Sequence, residues 1–375
     1  MAGIYIHIPF CRKACHYCNF HFSTGTGLMG DMLKAIVKEA GLRSQYIAEP
    51  VETVYFGGGT PSLYSADDIK LILEKLAGLF AVTHDAEITL EANPDDIDAQ
   101  KLHGWKNAGI NRLSIGVQSF LQSDLQWMNR AHNVQQAESS IVLAQDAGLT
   151  NITIDLIYGT PTLSDEQWKL NVEKALALGI THLSCYALTV EPKTALADMI
   201  RKNKIADVSE DKQGRHFEML MDWLAAAGWE HYEISNFALP GHRSRHNSGY
   251  WQGKPYLGLG PSAHSFNGKA RQWNVSNNPA YLKSIEENKV PFEEEILTPV
   301  QQLNEYIMTA LRTAEGINLA AVETKWNGPA AAGILKGAGK FLQNDLMVLN
   351  NNNLVLTRKG KLMADGIAAE LFGEE

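Results

Sequence analysis

From residue 1 to about 190, short runs rich in Ile, Leu, Val or Tyr alternate with longer stretches in which apolar positions recur every three or four residues. That alternation predicts a parallel sheet wound with crossover helices. Six strands follow from it: Gly3 to Ile8, Thr53 to Phe56, Glu87 to Leu90, Arg112 to Val117, Ile152 to Tyr158 and His182 to Leu188. Between them, a helix after Ser65 places Ile69, Ile72, Leu73, Leu76, Leu79 and Phe80 on one face, with Asp67 and Asp68 in its first turn. Another places Trp168, Val172, Ala175 and Leu176 on one side and starts at Ser164-Asp165-Glu166, which suits capping of its exposed amides. Repeated βα units of this kind make a barrel or part of one.

Beyond about residue 190 the pattern loosens into a helix around Phe217 to Ala227 and a Gly/Pro/Asn-rich stretch from Pro240 to Pro279, which reads as a long functional loop. Toward the C-terminus, Leu303, Tyr306, Ile307, Ala310 and Leu311 face inward on a helix. Leu346 to Leu349 and Leu354 to Thr357 then form a hairpin joined by four asparagines, in the manner of a winged-helix module. The chain thus divides into residues 1–240, a connecting region 241–295 and a C-terminal unit 296–375.

A chain of 375 residues, 45% hydrophobic and 20% charged, can bury a core without disulfides. Its formal net charge of -9 opposes attraction to phosphate backbones or anionic lipid, so nucleic acid is not an expected partner. The C-terminal unit, with seven Lys and Arg against eight Asp and Glu, lacks the basic face of a DNA-binding winged helix. The first residues carry no basic region followed by an apolar stretch, and no later segment offers about 18 uninterrupted apolar residues, so a cytoplasmic location is expected.

Three of the four cysteines, Cys11, Cys15 and Cys18, crowd into a loop after the first strand. In a reducing compartment this points to metal binding more than to cross-linking. A 4Fe-4S cluster is usually held by four thiolates, so three leave one iron open to a ligand. The alternatives are a zinc site completed by His16 or His21, or unrelated reduced thiols. Cys185, in the sixth apolar strand, reads as a small buried hydrophobe.

Cys-x3-Cys-x-Tyr-Cys following Tyr5-Ile6-His7-Ile8-Pro9-Phe10 resembles the opening of the radical S-adenosylmethionine proteins of the HemN/HemW group. The resemblance implies an α/β fold, an incomplete (βα)6 radical S-adenosylmethionine barrel with a smaller C-terminal winged-helix-like domain. It also implies that the open iron chelates the methionine part of S-adenosylmethionine, whose carbon-sulfur bond an electron from the reduced cluster cleaves to a 5'-deoxyadenosyl radical. Tyr17, between the second and third cysteines, is expected near the cofactor.

Gly57-Gly58-Gly59-Thr60 after the second strand allows close backbone approach to a ligand, although alone it reads as a turn. Glu91 and Gln118 end the third and fourth strands, Arg130 follows twelve residues on, and Asp155 lies within the fifth. A salt bridge between Arg130 and one of these acids is the plain structural alternative. Cys11, Gly58, Glu91 and Gln118 follow the carboxyl ends of successive strands, the active-site face of βα barrels. By resemblance, cofactor contacts fall on Tyr5, Gly58, Gly59, Thr60, Glu91, Gln118, Arg130 and Asp155.

Oxygen-independent coproporphyrinogen oxidases of this group carry a further cysteine two residues after the third, where this chain has Phe20, and an N-terminal arm before the first strand, which here begins almost at Met1. Arg245-His246-Asn247-Ser248-Gly249-Tyr250-Trp251 matches the His-Asn-x-x-Tyr-Trp motif of the group's heme chaperones. Histidine can ligate heme iron and aromatics can cover the macrocycle, so His246, Asn247, Tyr250 and Trp251 are the expected heme contacts, with His264 a weaker second choice for ligand. Two functions stand: a chaperone that binds heme, the cluster and S-adenosylmethionine, or a radical enzyme that decarboxylates a porphyrinogen. The first implies a heme-acceptor protein, compatible with membrane association, an electron donor such as flavodoxin or ferredoxin, and an assembly open to homodimer formation.

Overall fold

Strands covered on both faces need apolar residues at nearly every outward position, and the six expected ones have them. The computed structural model of the chain describes residues 1–373. In it β1 (Ala2–Ile8), β2 (Val51–Gly58), β3 (Val82–Ala92), β4 (Arg112–Gln118), β5 (Ile152–Tyr158) and β6 (His182–Ala187) pair in chain order, all parallel. Ile4, Ile6 and Ile8 of β1 are fully buried against the outer helices. The alternate residues turn inward, and register sets Gly3 beside Thr53, Tyr5 beside Tyr55 and His7 beside Gly57. The helices begin where expected: Ser65 caps Ala66–Leu79 in a box with Asp68, and Ser164 caps Asp165–Ala177 in a box with Gln167.

The sheet is larger than six strands. Beyond β6 it continues into β7 (Glu230–Glu233) and β8 (Asn236–Ala238), with β8 antiparallel to β6. The Pro240 to Pro279 stretch, expected as a loop, is instead built into the structure. It carries a helix, Arg245–Trp251, then β9 (Tyr256–Leu259), which pairs parallel with β1, followed by β10 (His264–Phe266) and β11 (Ala270–Asn274). These strands have three to five residues, too few for a period of two to stand out between Gly and Pro. β12 (Phe292–Ile296) closes this edge antiparallel to β11.

Buried Glu39, on helix Met29–Leu42, ties the extension to the barrel. It accepts from the Gly260 amide at 2.8 Å, the Tyr281 hydroxyl at 2.6 Å and Asn274 Nδ2 at 2.7 Å, with Arg43 at 3.6 Å.

The C-terminal residues form a separate core around Ile307, Leu311, Ile334 and Leu354. Its order of helix Pro299–Leu311, β13 (Ile317–Asn318), helices Leu319–Lys325 and Gly328–Gln343, then β14 (Met347–Asn350) and β15 (Asn353–Leu356), is winged-helix-like. Arg312 fastens it to the barrel through buried Glu233 at 2.8 Å, and Arg271 of β11 meets Glu305 at 2.8 Å. Among the described residues no helix is long and apolar enough to cross a membrane.

Candidate functional site

The cysteine loop leaves β1 and returns at Ser23, where Cys11 N–H donates to the Ser23 carbonyl at 3.0 Å and Ser23 N–H to Pro9 at 2.9 Å. Its partners at and just beyond the end of β2 are fixed by crowding. Gly59 N–H donates to Ile8 at 2.8 Å and Thr60 N–H to Phe10 at 2.7 Å, and a Cβ on Gly59 would lie 2.6 Å from the Phe10 carbonyl. Gly58, at φ 102°, passes directly under the His7 ring.

Cys11, Cys15 and Cys18 line one cavity of about 410 Å³ at the carboxyl ends of the strands, with Tyr17, Gly58, Gly59, Thr60, Glu91, Gln118, Arg130 and Asp155. Tyr5 lies apart from it and lines a second, larger cavity. Among the described residues no three His, Cys, Asp or Glu side chains close on a single ion. A polynuclear cluster asks the thiolates to sit on different irons instead. His16 donates its Nδ1 to the Trp127 carbonyl at 2.8 Å and His21 Nε2 meets Asn278 at 2.8 Å, so both candidate zinc ligands are engaged elsewhere.

Arg130 is not in an ion pair with the acids. Its Nη1 reaches Cys15 Sγ at 3.2 Å and its Nη2 donates to Asn93 Oδ1 at 2.7 Å and the Gly116 carbonyl at 2.8 Å. Thr60 donates to Cys11 Sγ at 3.4 Å and accepts from Asn93 at 3.1 Å. Burial pushes the Cys11 thiol up to about 11, opposed by the Thr60 contact. Burial, reinforced by Asp155, pushes Glu91 up to about 8 even though Tyr55 donates to it at 2.8 Å, and burial takes Asp155 up to about 6. Gln118 holds a left-handed φ of 65°, turning the chain out of β4 at the cavity.

Sequence reasoning passed over Asn93, Ser114 and Tyr186, which also line this cavity. Ser114 was marked by its place two residues before Gly116 and four before Gln118 on the inward face of β4. Asn93 lies just beyond Glu91 and carried no such signal.

The larger cavity, about 740 Å³, lies between β1, helix Arg245–Trp251, β9 to β11 and the C-terminal helices, and shares Asn19, Phe20, Gly58 and Glu91 with the first. Tyr250 and Trp251 line it, whereas His246 and Asn247 do not. His246 is buried at the amino end of the barrel. Its Nδ1 meets Thr53 at 2.7 Å, its Nε2 meets the Tyr250 hydroxyl at 2.8 Å, and its ring stacks on Tyr55 with centroids 4.9 Å apart. Glu87 accepts both the Arg245 and His246 amides at 3.0 Å, holding the helix start. As placed, the imidazole has no nitrogen left for a metal.

A radical SAM superfamily model matches residues 5–175, and a HemN C-terminal domain model matches residues 297–363. The chain is 34% identical over 379 residues to a heme chaperone HemW of Mycobacterium tuberculosis, covering 99% of this chain and 95% of that one. It is 32% identical over 379 residues to the heme chaperone HemW of Bacillus subtilis, covering 100% of both. Among solved structures, coproporphyrinogen III oxidase HemN of Escherichia coli superposes with a TM-score of 0.86 at 23% identity, covering 99% of this chain and 90% of that one, a likeness of fold.

Proposed function

The chain belongs to the HemW family of radical S-adenosylmethionine proteins, and from that premise we propose that it is a heme chaperone that passes heme to an acceptor protein. The observation that carries this reading is the pairing of two cavities, one lined by the three thiols, the other large and aromatic, along the shared wall of Phe20, Gly58 and Glu91. A bound 4Fe-4S cluster supplies one-electron chemistry and an iron open to the methionine part of S-adenosylmethionine.

The chain's own groups would do the rest. Cys11, Cys15 and Cys18 ligate, and the Arg130 and Thr60 contacts stabilise thiolate charge on Cys15 and Cys11. Glu91 and Asp155 offer acceptors to ribose hydroxyls, and Gly58, Gly59 and Gln118 let the backbone approach. Tyr250 and Trp251 meet the heme, while His246 holds Tyr250 in place. Tyr17 walls the cluster side, and Tyr5 stands across Glu91 on the heme side. An electron donor such as flavodoxin or ferredoxin serves the cluster. Phe20, exposed at the rim of both cavities, stands where the oxidases carry a further cysteine.

Two assays on anaerobically reconstituted protein test this. Hemin titration is expected to give a saturable Soret shift, and coproporphyrinogen III incubated with reductant and S-adenosylmethionine is expected to be recovered intact. Decarboxylation at enzymatic rates with no heme-dependent spectrum would replace the chaperone with an oxidase.

A further inference from the structure

Three imidazoles line the larger cavity, and their partners separate them. His7 spends Nδ1 on the Tyr5 hydroxyl at 3.2 Å and donates Nε2 to the His21 carbonyl at 2.9 Å, while burial lowers its pKa to about 4. His21 is bonded to Asn278 at 2.8 Å. His264, the first residue of β10, has neither ring nitrogen bonded among the described residues, and its partly covered ring lies on the cavity wall beside Trp273, centroids 6.3 Å apart. Burial and Arg271 both lower its pKa, which favours the neutral form that binds metal.

The surroundings suit a flat, mostly apolar ligand with acidic arms. Tyr250, Trp251, Tyr256 and Phe266 supply aromatic walls, and about 740 Å³ lies within the range that holds a cofactor-sized molecule. Of the two cations on the wall, Arg271 is matched by Glu305 at 2.8 Å. Lys325 is exposed, makes no ion pair among the described residues and sits 4.5 Å over the Trp326 ring. Trp251 also carries a buried indole N–H without a partner among the described residues.

Resting on the chaperone reading, we propose that this cavity is the heme seat: His264 ligates the iron, the four aromatics cover the macrocycle and Lys325 pairs with a propionate. His246 is then a positioning residue for Tyr250 and not an iron ligand. Because Gly58 and Glu91 line both cavities, the heme would lie beside the S-adenosylmethionine pocket.

Hemin and hemin dimethyl ester titrated into the full chain, followed by absorption and electron paramagnetic resonance, test the assignment. Wild type is expected to show a histidine-ligated spectrum. His264→Ala is expected to lose that signature and bind at least tenfold more weakly, with added imidazole restoring the spectrum. Among the described residues His264 makes no side-chain hydrogen bond, so its removal is expected to leave the fold intact, which circular dichroism checks. Lys325→Ala is expected to weaken hemin several-fold and leave the dimethyl ester unaffected, an independent reading of the same seat. His246→Ala should keep histidine ligation. A wild-type spectrum in His264→Ala, or loss of ligation in His246→Ala alone, would overturn the seat while leaving the chaperone reading intact. Failure of the wild type to bind hemin at all would overturn both.

Discussion

Glu91 has its charge set by surroundings before any ligand arrives. With a native pKa of about 8 against 4.5 for the free group, the native state binds more protons than the unfolded one across that window. Its contribution to stability is therefore full below about pH 4.5 and is lost as the pH rises toward 8. Glu91→Gln is expected to flatten the pH dependence of urea unfolding in the ligand-free protein between about pH 6 and 8, by up to about 1.4 kcal/mol per pH unit. A slope equal to that of the wild type would show the carboxyl to be ionised. Single Ser replacements of Cys11, Cys15 or Cys18 are expected to abolish an intact cluster, whereas fully buried Cys185→Ser retains its iron and sulfide. Full cluster content in Cys15→Ser would remove the assignment. The cysteines were legible because thiols at that spacing have few other uses. The posts of Arg130 and His246 were not: Arg130 takes a sulfur, an amide and a carbonyl from three separate segments, and only the four-residue step to Tyr250 hinted at the partner of His246.

Elements declare themselves when their pattern outlasts noise. β1 to β6 did so through apolar runs of four to seven residues in the sequence, and the helix at Ser65 through an apolar stripe and a reciprocal cap. Ser65→Ala is expected to cost about 1 kcal/mol, seen as a lowered denaturation midpoint. The β14–β15 hairpin turns on Asn351 and Asn352, with φ of 46° and 65°, a two-residue turn that needs left-handed backbone at both positions. Replacing both by Ala is expected to destabilise the C-terminal core by about 1–2 kcal/mol per residue, and an unchanged unfolding curve would show that the turn relaxes without cost. β9 escaped notice because its pairing comes from β1, some 250 residues earlier, and β10 and β11, local antiparallel partners of three and five residues, because they are too short to show alternation.

At the scale of the molecule, both cavities depend on parts distant in the chain staying docked. Glu39 is the knot, since it joins helix Met29–Leu42 to Gly260, Asn274 and Tyr281. Glu39→Ala leaves Arg43 buried without its carboxylate and is expected to cost about 3–5 kcal/mol, with Glu39→Gln milder because it still accepts; equal losses would place the effect in packing. The sheet never closes on itself, so it has two ends, and an unpaired strand invites a neighbouring copy to add on. β7 is bridged by Thr313 of the C-terminal region. At the other end all five residues of β12 are exposed, and three in a row are Glu293, Glu294 and Glu295. Two copies meeting there would set one acid row against another, a charge repulsion that disfavours strand-by-strand growth into fibres.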